Sequence, residues 1–438
     1  MTGKTIFFND ALKETSELLR GETFLDGVQP LIIRDIYGRI RIALQNGKKD
    51  QHIDLASRLG EKLMKLFPFC GKDDEGVLFP DDFFDPDIVF ENPDILHLQI
   101  PDTGTSLRIL DRQIVGQDWL RPRPSPTQYQ RIVFFGLKGG VGRSTAMAMA
   151  AYHLARSGLR VLLIDFDLES PGLSGLLLPP ERLSDFGMVD WFIEDAVGQG
   201  EIVLKNMISV SPLSEHTQGE IRVAAAMGLN ENYYLAKLSR VFADVPRDNT
   251  IERFSHRANR LITALEAQEK PAVVLIDSRA GLHDLAAVSI VNLATTTLLF
   301  AVDSAQTWQG YRLLFSQWQC YPSILKSLRD RLVLVEALFP ETDQSTRAGA
   351  FLENAYRLFS ETIYERIEPG QAPDTDIFNF DMNDTSAPHY PLLIKWSNRF
   401  QEFDPLMLPK GILTDADIAA AFGNFLEGLK QIIEGRTP

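Results

Sequence analysis

Lys138, Gly139, Gly140, Val141, Gly142, Arg143, Ser144 and Thr145 form an octapeptide, KGGVGRST, whose residue types suit a polyphosphate. Glycines let the chain wrap tightly around an anion with its amides turned inward, and a helix opened at the end of the wrap adds the positive end of its dipole. Ser144 stands where a hydroxyl would bind magnesium, and Thr145 could reach an α-phosphate. Arg143 fills the slot that ordinary phosphate loops give to lysine. A guanidinium is larger and planar and prefers two-pronged contacts, so phosphate binding should survive the exchange better than the geometry of phosphate cleavage. Three carboxylates accompany the loop: Asp165 and Asp167 in DFDLESPG, and Asp277 in DSRAG. Magnesium prefers such hard oxygens, although an aspartate after an apolar run is also a common helix cap or turn former. Arg279 reads as a salt-bridged loop residue, with contact to a γ-phosphate as its alternative. His283 reads as a capping or packing residue.

This chemistry requires strands that end at one edge of a sheet. Ile132 to Phe135 is a short apolar strand ahead of the loop, and Ser144 to Ser157 is apolar on most faces, as a helix buried against a sheet should be. Gly158 stops that helix, and the fully apolar runs from Arg160 to Asp165 and from Ala272 to Asp277 each close on a carboxylate. Ligands of open α/β sheets bind at these carboxyl ends. With further apolar runs at Thr296 to Val302 and Leu332 to Val335, the cadence predicts an α/β fold. The expected architecture is a three-layer P-loop sandwich around a mostly parallel sheet over residues 131–438. About 100 residues separate the second strand from the third, more than one crossover needs, so an insertion is expected around residues 180–270. It contains a strand-like run at Ile221 and a helical one from Tyr233 to Phe242.

Residues 1–120 alternate short apolar runs at Pro30 to Ile33, Arg39 to Leu44 and Ile95 to Ile100 with one helical pattern, Ile53 to Leu66. They predict a small α+β domain, joined to the rest by a proline-rich linker over residues 121–130.

The octapeptide resembles the deviant Walker A motif of the ParA/MinD group of ATPases. DFDLESPG is similar to that group's second motif, and DSRAG to the Asp-Ser-Pro-Ala-Gly of its MinD-like members, so the likeness covers roughly residues 131 to 305. The resemblance implies an ATP-binding and ATP-hydrolysing switch with ATP and Mg2+ as cofactors. It implies a nucleotide-dependent homodimer in which Lys138 reaches the partner's phosphates. Asp167 would position the attacking water, and Ser144, Asp165 and Asp277 would hold magnesium. A protein partner is expected through the N-terminal domain or the 180–270 insertion. The adenine-contacting asparagine common in the group is missing from the strand LVLVEALFP, so ATP itself is an expectation from resemblance alone. Pro388 to Pro391 is either a backbone contact to the base or a tight loop.

Composition narrows the partners. Among 438 residues, 59 acidic against 44 basic give a net charge of −15, and from residue 331 onward 17 acidic stand against 9 basic. Nucleic acid and anionic membrane are therefore not expected. The C-terminal helix, opened by a capping box at Thr414 and Asp417, carries Ile418, Phe422, Phe425, Leu429 and Ile432 at helical spacing, and is expected to pack on the domain. Its polar face lacks the basic residues of a membrane anchor. Only Cys70 and Cys320 occur, which excludes a disulfide framework and points to a cytoplasmic protein. Two other readings stand beside the switch: a non-hydrolysing nucleotide-binding scaffold in a signalling or defence module, favoured by Arg143, and a DNA-associated cargo-positioning or partition ATPase, disfavoured by the acidic charge.

Overall fold

Short apolar runs near the start of the chain pair into a five-stranded sheet. Its strands are β1 (Gln29–Arg34), β2 (Ile40–Gln45), β3 (Val77–Leu78), β4 (Leu96–Ile100) and β5 (Thr105–Asp111), in the order β3-β2-β1-β5-β4. β1 pairs antiparallel with β2 and parallel with β5, and Leu31, Ala43, Phe90 and Leu110 form one core cluster on the sheet. Three helices accompany it: α1 (Phe8–Arg20), α2 (Lys49–Leu66) and α3 (Pro86–Phe90). The first strands and α2 match their sequence patterns. α1 and β5 do not stand out in the sequence: β5 buries Leu107, Ile109 and Leu110 but interleaves them with Ser106 and Arg108.

The computed structural model describes residues 6–22, 27–66, 76–100, 105–122, 127–229, 232–247, 250–366, 377–400 and 403–435. Cys70, residues 123–126 of the proline-rich linker and the last three residues lie outside them. The chain divides into two units, Met1–Arg121 with Ser316–Lys326, and Pro122–Phe315 with Ser327–Pro438. The second segment of the smaller unit contributes its own bonds there: the Cys320 carbonyl accepts from the Gln99 amide at 2.8 Å, and Trp318 Nε1 donates to the Trp119 carbonyl at 3.1 Å.

In the larger unit, β6 (Gln130–Gly136) leads through the glycine-rich loop into α4 (Arg143–Arg156) and then β7 (Arg160–Asp165). Next come α5 (Leu173–Leu177), α6 (Met188–Ala196), α7 (Gly200–Leu204), β8 (Ile208–Val210), β9 (Glu220–Ala224), α8 (Tyr234–Val241), the hairpin β10 (Val245–Arg247) and β11 (Thr250–Glu252), and α9 (Phe254–Glu269). The chain returns to the sheet with β12 (Val273–Asp277) and continues through α10 (Asp284–Ala287), a π-helical turn at Val288–Leu293 and β13 (Thr296–Ala301). It closes with α11 (Ala305–Gln319), α12 (Pro322–Leu328), β14 (Leu332–Phe339), α13 (Gln344–Thr362), β15 (Leu392–Lys395) and α14 (Asp415–Ile433).

Apart from the β10–β11 hairpin, these strands form one eight-stranded sheet, β15-β14-β13-β6-β12-β7-β9-β8, parallel throughout except for β8, which joins β9 antiparallel at the edge. Side chains alternate along β6 and so define two faces. Ile132 and Phe134 join the core cluster of α4 and α14, where Phe134 and Phe425 meet edge to face. Phe135 faces Tyr311 of α11, and Arg131 forks onto Glu266 of α9 at 2.6 and 2.7 Å, wholly buried. The result is the expected α/β/α sandwich. Within residues 180–270, β8 and β9 extend the main sheet and α9 packs as the crossover into β12, so much of that stretch is integral to the fold. The capping box at Thr414 and Asp417 and the burial of α14 are as the sequence predicts.

Candidate functional site

Gly140 and Gly142 take left-handed backbone, φ +75° and +79°, which other residues resist. This turns the chain from β6 into α4, and a Cβ built on Gly139 or Gly140 would meet nothing within 4 Å, so the space beside these glycines is open. The first amides of α4 have no partner within the helix, as at any helix N-terminus. Ser144 stands in that turn, and its Oγ donates to Asp277 Oδ2 at 2.9 Å. Thr145 and Lys138 are half-buried.

The two carboxylates at strand ends are brought side by side. Asp165 and Asp277 are register partners at the ends of neighbouring parallel strands, and both are almost wholly buried. One oxygen of each, Asp165 Oδ1 and Asp277 Oδ1, is buried without a hydrogen-bond partner. Burial, with Asp277 adding like charge, holds Asp165 well above the usual carboxylate range. Burial likewise pushes Asp277 up to about 6, although Arg143 and the Ser144 hydroxyl pull the other way. Orphaned buried carboxylate oxygens beside a serine hydroxyl fit a hard divalent cation, which would relieve the cost of burying them. Among the described residues no three His, Cys, Asp or Glu converge on one point.

Arg143, the first residue of α4, is buried, and its Nη1 donates to the Ser278 carbonyl at 2.7 Å. The Gly281 amide donates to the Gly136 carbonyl at 3.0 Å, so the loop after β12 is fastened both to Arg143 of the phosphate loop and to the end of β6. Between them Arg279 spans to the loop after β7. Its Nη1 lies 3.2 Å from Asp167 Oδ1 and also donates to the Ser170 hydroxyl, while Nη2 lies 3.1 Å from Glu169 Oε2. His283 Nε2 is 3.0 Å from the other oxygen of Glu169, and its Nδ1 accepts from the Leu285 amide as the cap of α10. Arg279 is therefore salt-bridged and His283 caps, each as the sequence reading favours.

Pro388 to Pro391 does not approach this site. The Pro388 carbonyl accepts from the Leu334 amide at 3.2 Å, ahead of β15 and at the amino ends of the parallel strands, opposite the phosphate loop. His389 is fully buried there, bonded to the Tyr364 hydroxyl and the Met382 carbonyl. The tight-loop alternative is the one observed.

Two neighbours of the site carry no motif. Tyr234 of α8 donates its hydroxyl to the Leu168 carbonyl at 2.6 Å, tying that helix to the loop that holds Asp167. Leu338 sits within the register shift between Glu336 and Phe339 of β14, in left-handed backbone (φ +56°), and its Cδ2 would lie 3.7 Å from a Cβ on Gly142. One tyrosine among ten and one leucine in an apolar strand give no sequence signal.

A glycine loop between a central parallel strand and its helix, with acidic strand ends beside it, defines a P-loop nucleotide-binding fold. Residues 132–293 match the family described as CobQ/CobB/MinD/ParA nucleotide binding domain, and that segment is similar to the ParA/MinD type. Among solved structures, cobyrinic acid a,c-diamide synthase from Mycobacterium smegmatis with bound ATP analog and magnesium is similar at 15% identity, over 70% of this chain and 98% of that one, with a TM-score of 0.41. A Cyanothece McdA–ATP complex is similar at 16% identity, over 72% and 99%, with a TM-score of 0.41. The ParA of pNOB8 bound to nonspecific DNA is similar at 13% identity, over 70% and 99%, with a TM-score of 0.40. No curated protein matches by sequence.

Proposed function

We propose that this protein is an ATP-binding molecular switch that hydrolyses ATP slowly, dimerises around the nucleotide and controls a protein partner. The observation that carries the reading is the open glycine loop with Ser144 and two half-satisfied carboxylates, Asp165 and Asp277, converging beside it. In this reading the amides of Gly139 to Thr145 bind the phosphates, and Ser144, Asp165 and Asp277 hold Mg2+, which when bound neutralises charge on the phosphate oxygens. Asp167 positions water, and Lys138 acts across the dimer. Lys138 makes no ion pair among the described residues, in keeping with a cation kept for another molecule. The smaller unit and helix α8, bonded to the Asp167 loop through Tyr234, are the proposed partner-facing parts.

Calorimetric titration with ATP tests the binding role of Ser144. Ser144→Ala removes a hydroxyl bonded to a charged group, an interaction worth about 1.5–3 kcal/mol. Affinity for ATP in magnesium should fall roughly 10- to 100-fold, and equal affinity with and without magnesium in the unsubstituted protein would contradict the metal assignment.

One observation favours the second reading, a nucleotide-binding scaffold that does not hydrolyse. Arg143 directs one arm of its guanidinium at the Ser278 carbonyl, so its fork is shared between a backbone group and any phosphate. Phosphate release measured with and without candidate partners separates the two readings.

A further inference from the structure

Arg279 joins three groups of the loop after β7, and it does so from a backbone position fixed against the phosphate loop. Ser278, on one side, is held by Arg143, and Gly281, on the other, by the Gly136 carbonyl. The Cα of Arg279 therefore sits at the rim of the nucleotide site, and its long side chain is what crosses to Asp167, Glu169 and Ser170. Arg279 is 27% exposed and Glu169 29%, at the level where an ion pair contributes only about 0–1 kcal/mol and is readily exchanged. A terminal phosphate, with more charge and three acceptor oxygens, is a stronger partner for a guanidinium than either carboxylate. The same contact occupies Asp167 Oδ1, the carboxylate proposed to position water.

We propose that Arg279 reads the γ-phosphate of a bound nucleoside triphosphate. Without that phosphate it rests on Asp167 and Glu169; with it, the guanidinium transfers to the phosphate and Asp167 is released. Triphosphate binding and the freeing of Asp167 are then one event, and a diphosphate, which presents no terminal group to Arg279, leaves the resting pair in place. This deepens the nucleotide reading of the same site and rests on it.

The test is equilibrium binding by full-length protein of a non-hydrolysable ATP analogue and of ADP, both with magnesium, so that the readout is independent of turnover. In Arg279→Ala the preference for triphosphate over diphosphate should fall at least tenfold, with ADP affinity within about threefold of the unsubstituted protein. In Glu169→Gln, which weakens the resting contact but leaves the arginine, that preference should rise severalfold. A ratio unchanged in Arg279→Ala, or lost equally for both nucleotides, would overturn the assignment and leave Arg279 a loop anchor. Failure of the unsubstituted protein to bind either nucleotide would instead overturn the nucleotide reading itself.

Discussion

At the scale of single residues, Arg143 and Glu336 have consequences that can be measured. Arg143 occupies the lysine slot of the phosphate loop yet spends one donor on the Ser278 carbonyl, which couples the phosphate loop to the loop carrying Arg279. Arg143→Lys should therefore speed single-turnover ATP cleavage, by roughly tenfold if about 1.4 kcal/mol of transition-state stabilisation is regained. Equal rates in the two proteins would contradict the role given to Arg143. Glu336 on β14 is 3% exposed, with Oε2 unpartnered, and burial together with the nearby Asp303 pushes its carboxyl up to about 8. An unfolded glutamate ionises near pH 4.5, so the folded state holds the extra proton between about pH 5 and 8 and loses stability as pH rises through that window. Thermal melts should show a loss on the order of a few kcal/mol across it, which Glu336→Gln should reduce, the remainder coming from Asp165 and Asp277, whose carboxyls burial also raises. The same decline in the variant would place its cause elsewhere. Sequence spacing picked out the loop, the three aspartates, Arg279 and His283. It was silent on Glu336, because a single acid in an apolar strand reads as a solvent-facing position until the helices that cover it are known.

At the scale of elements, the parallel core was legible because strands buried on both faces are continuous apolar runs, as at Arg160 to Asp165 and Val273 to Asp277. Elements whose burial comes from a neighbour left no periodic trace. β8 contributes three residues, and β15 four, to the two edges of the sheet, and the hairpin β10–β11 is clamped by Arg247 and Arg260 onto Asp195 and Glu252. The glycines tell the two kinds of constraint apart. A Cβ on Gly187 would lie 2.5 Å from Met227 backbone, and one on Gly228 would lie 2.4 Å from the Asp185 carbonyl oxygen, so the start of α6 and the segment after β9 pass in direct contact. Gly228→Ala should cost about 3 kcal/mol or more and be seen as a lowered Tm, because backbone rather than a side chain must move. Gly140→Ala meets no neighbour and should cost only the left-handed backbone, about 1–2 kcal/mol. A Tm unchanged in Gly228→Ala would show that the two segments part more easily than their contact implies.

At the scale of the whole molecule, the acidic charge and the division into two units frame how a switch would be used. No helix among the described residues is long and apolar enough to cross a membrane. Dimerisation predicts that light scattering gives twice the monomer mass with ATP and magnesium, and the monomer mass with ADP or without nucleotide. Monomer mass in all three conditions would defeat the trans role proposed for Lys138 while leaving the nucleotide reading of the glycine loop intact. What the smaller unit recognises is not legible from its residues, since a five-stranded sheet accompanied by helices is a scaffold that many partners can use. The central claim, that the glycine loop and the buried carboxylates bind a magnesium nucleotide, is tested most directly by one calorimetric titration of ATP into the full-length protein in magnesium. The account predicts saturable binding at one site per chain, weakened when EDTA removes the metal. No heat of binding above dilution in either condition would contradict it.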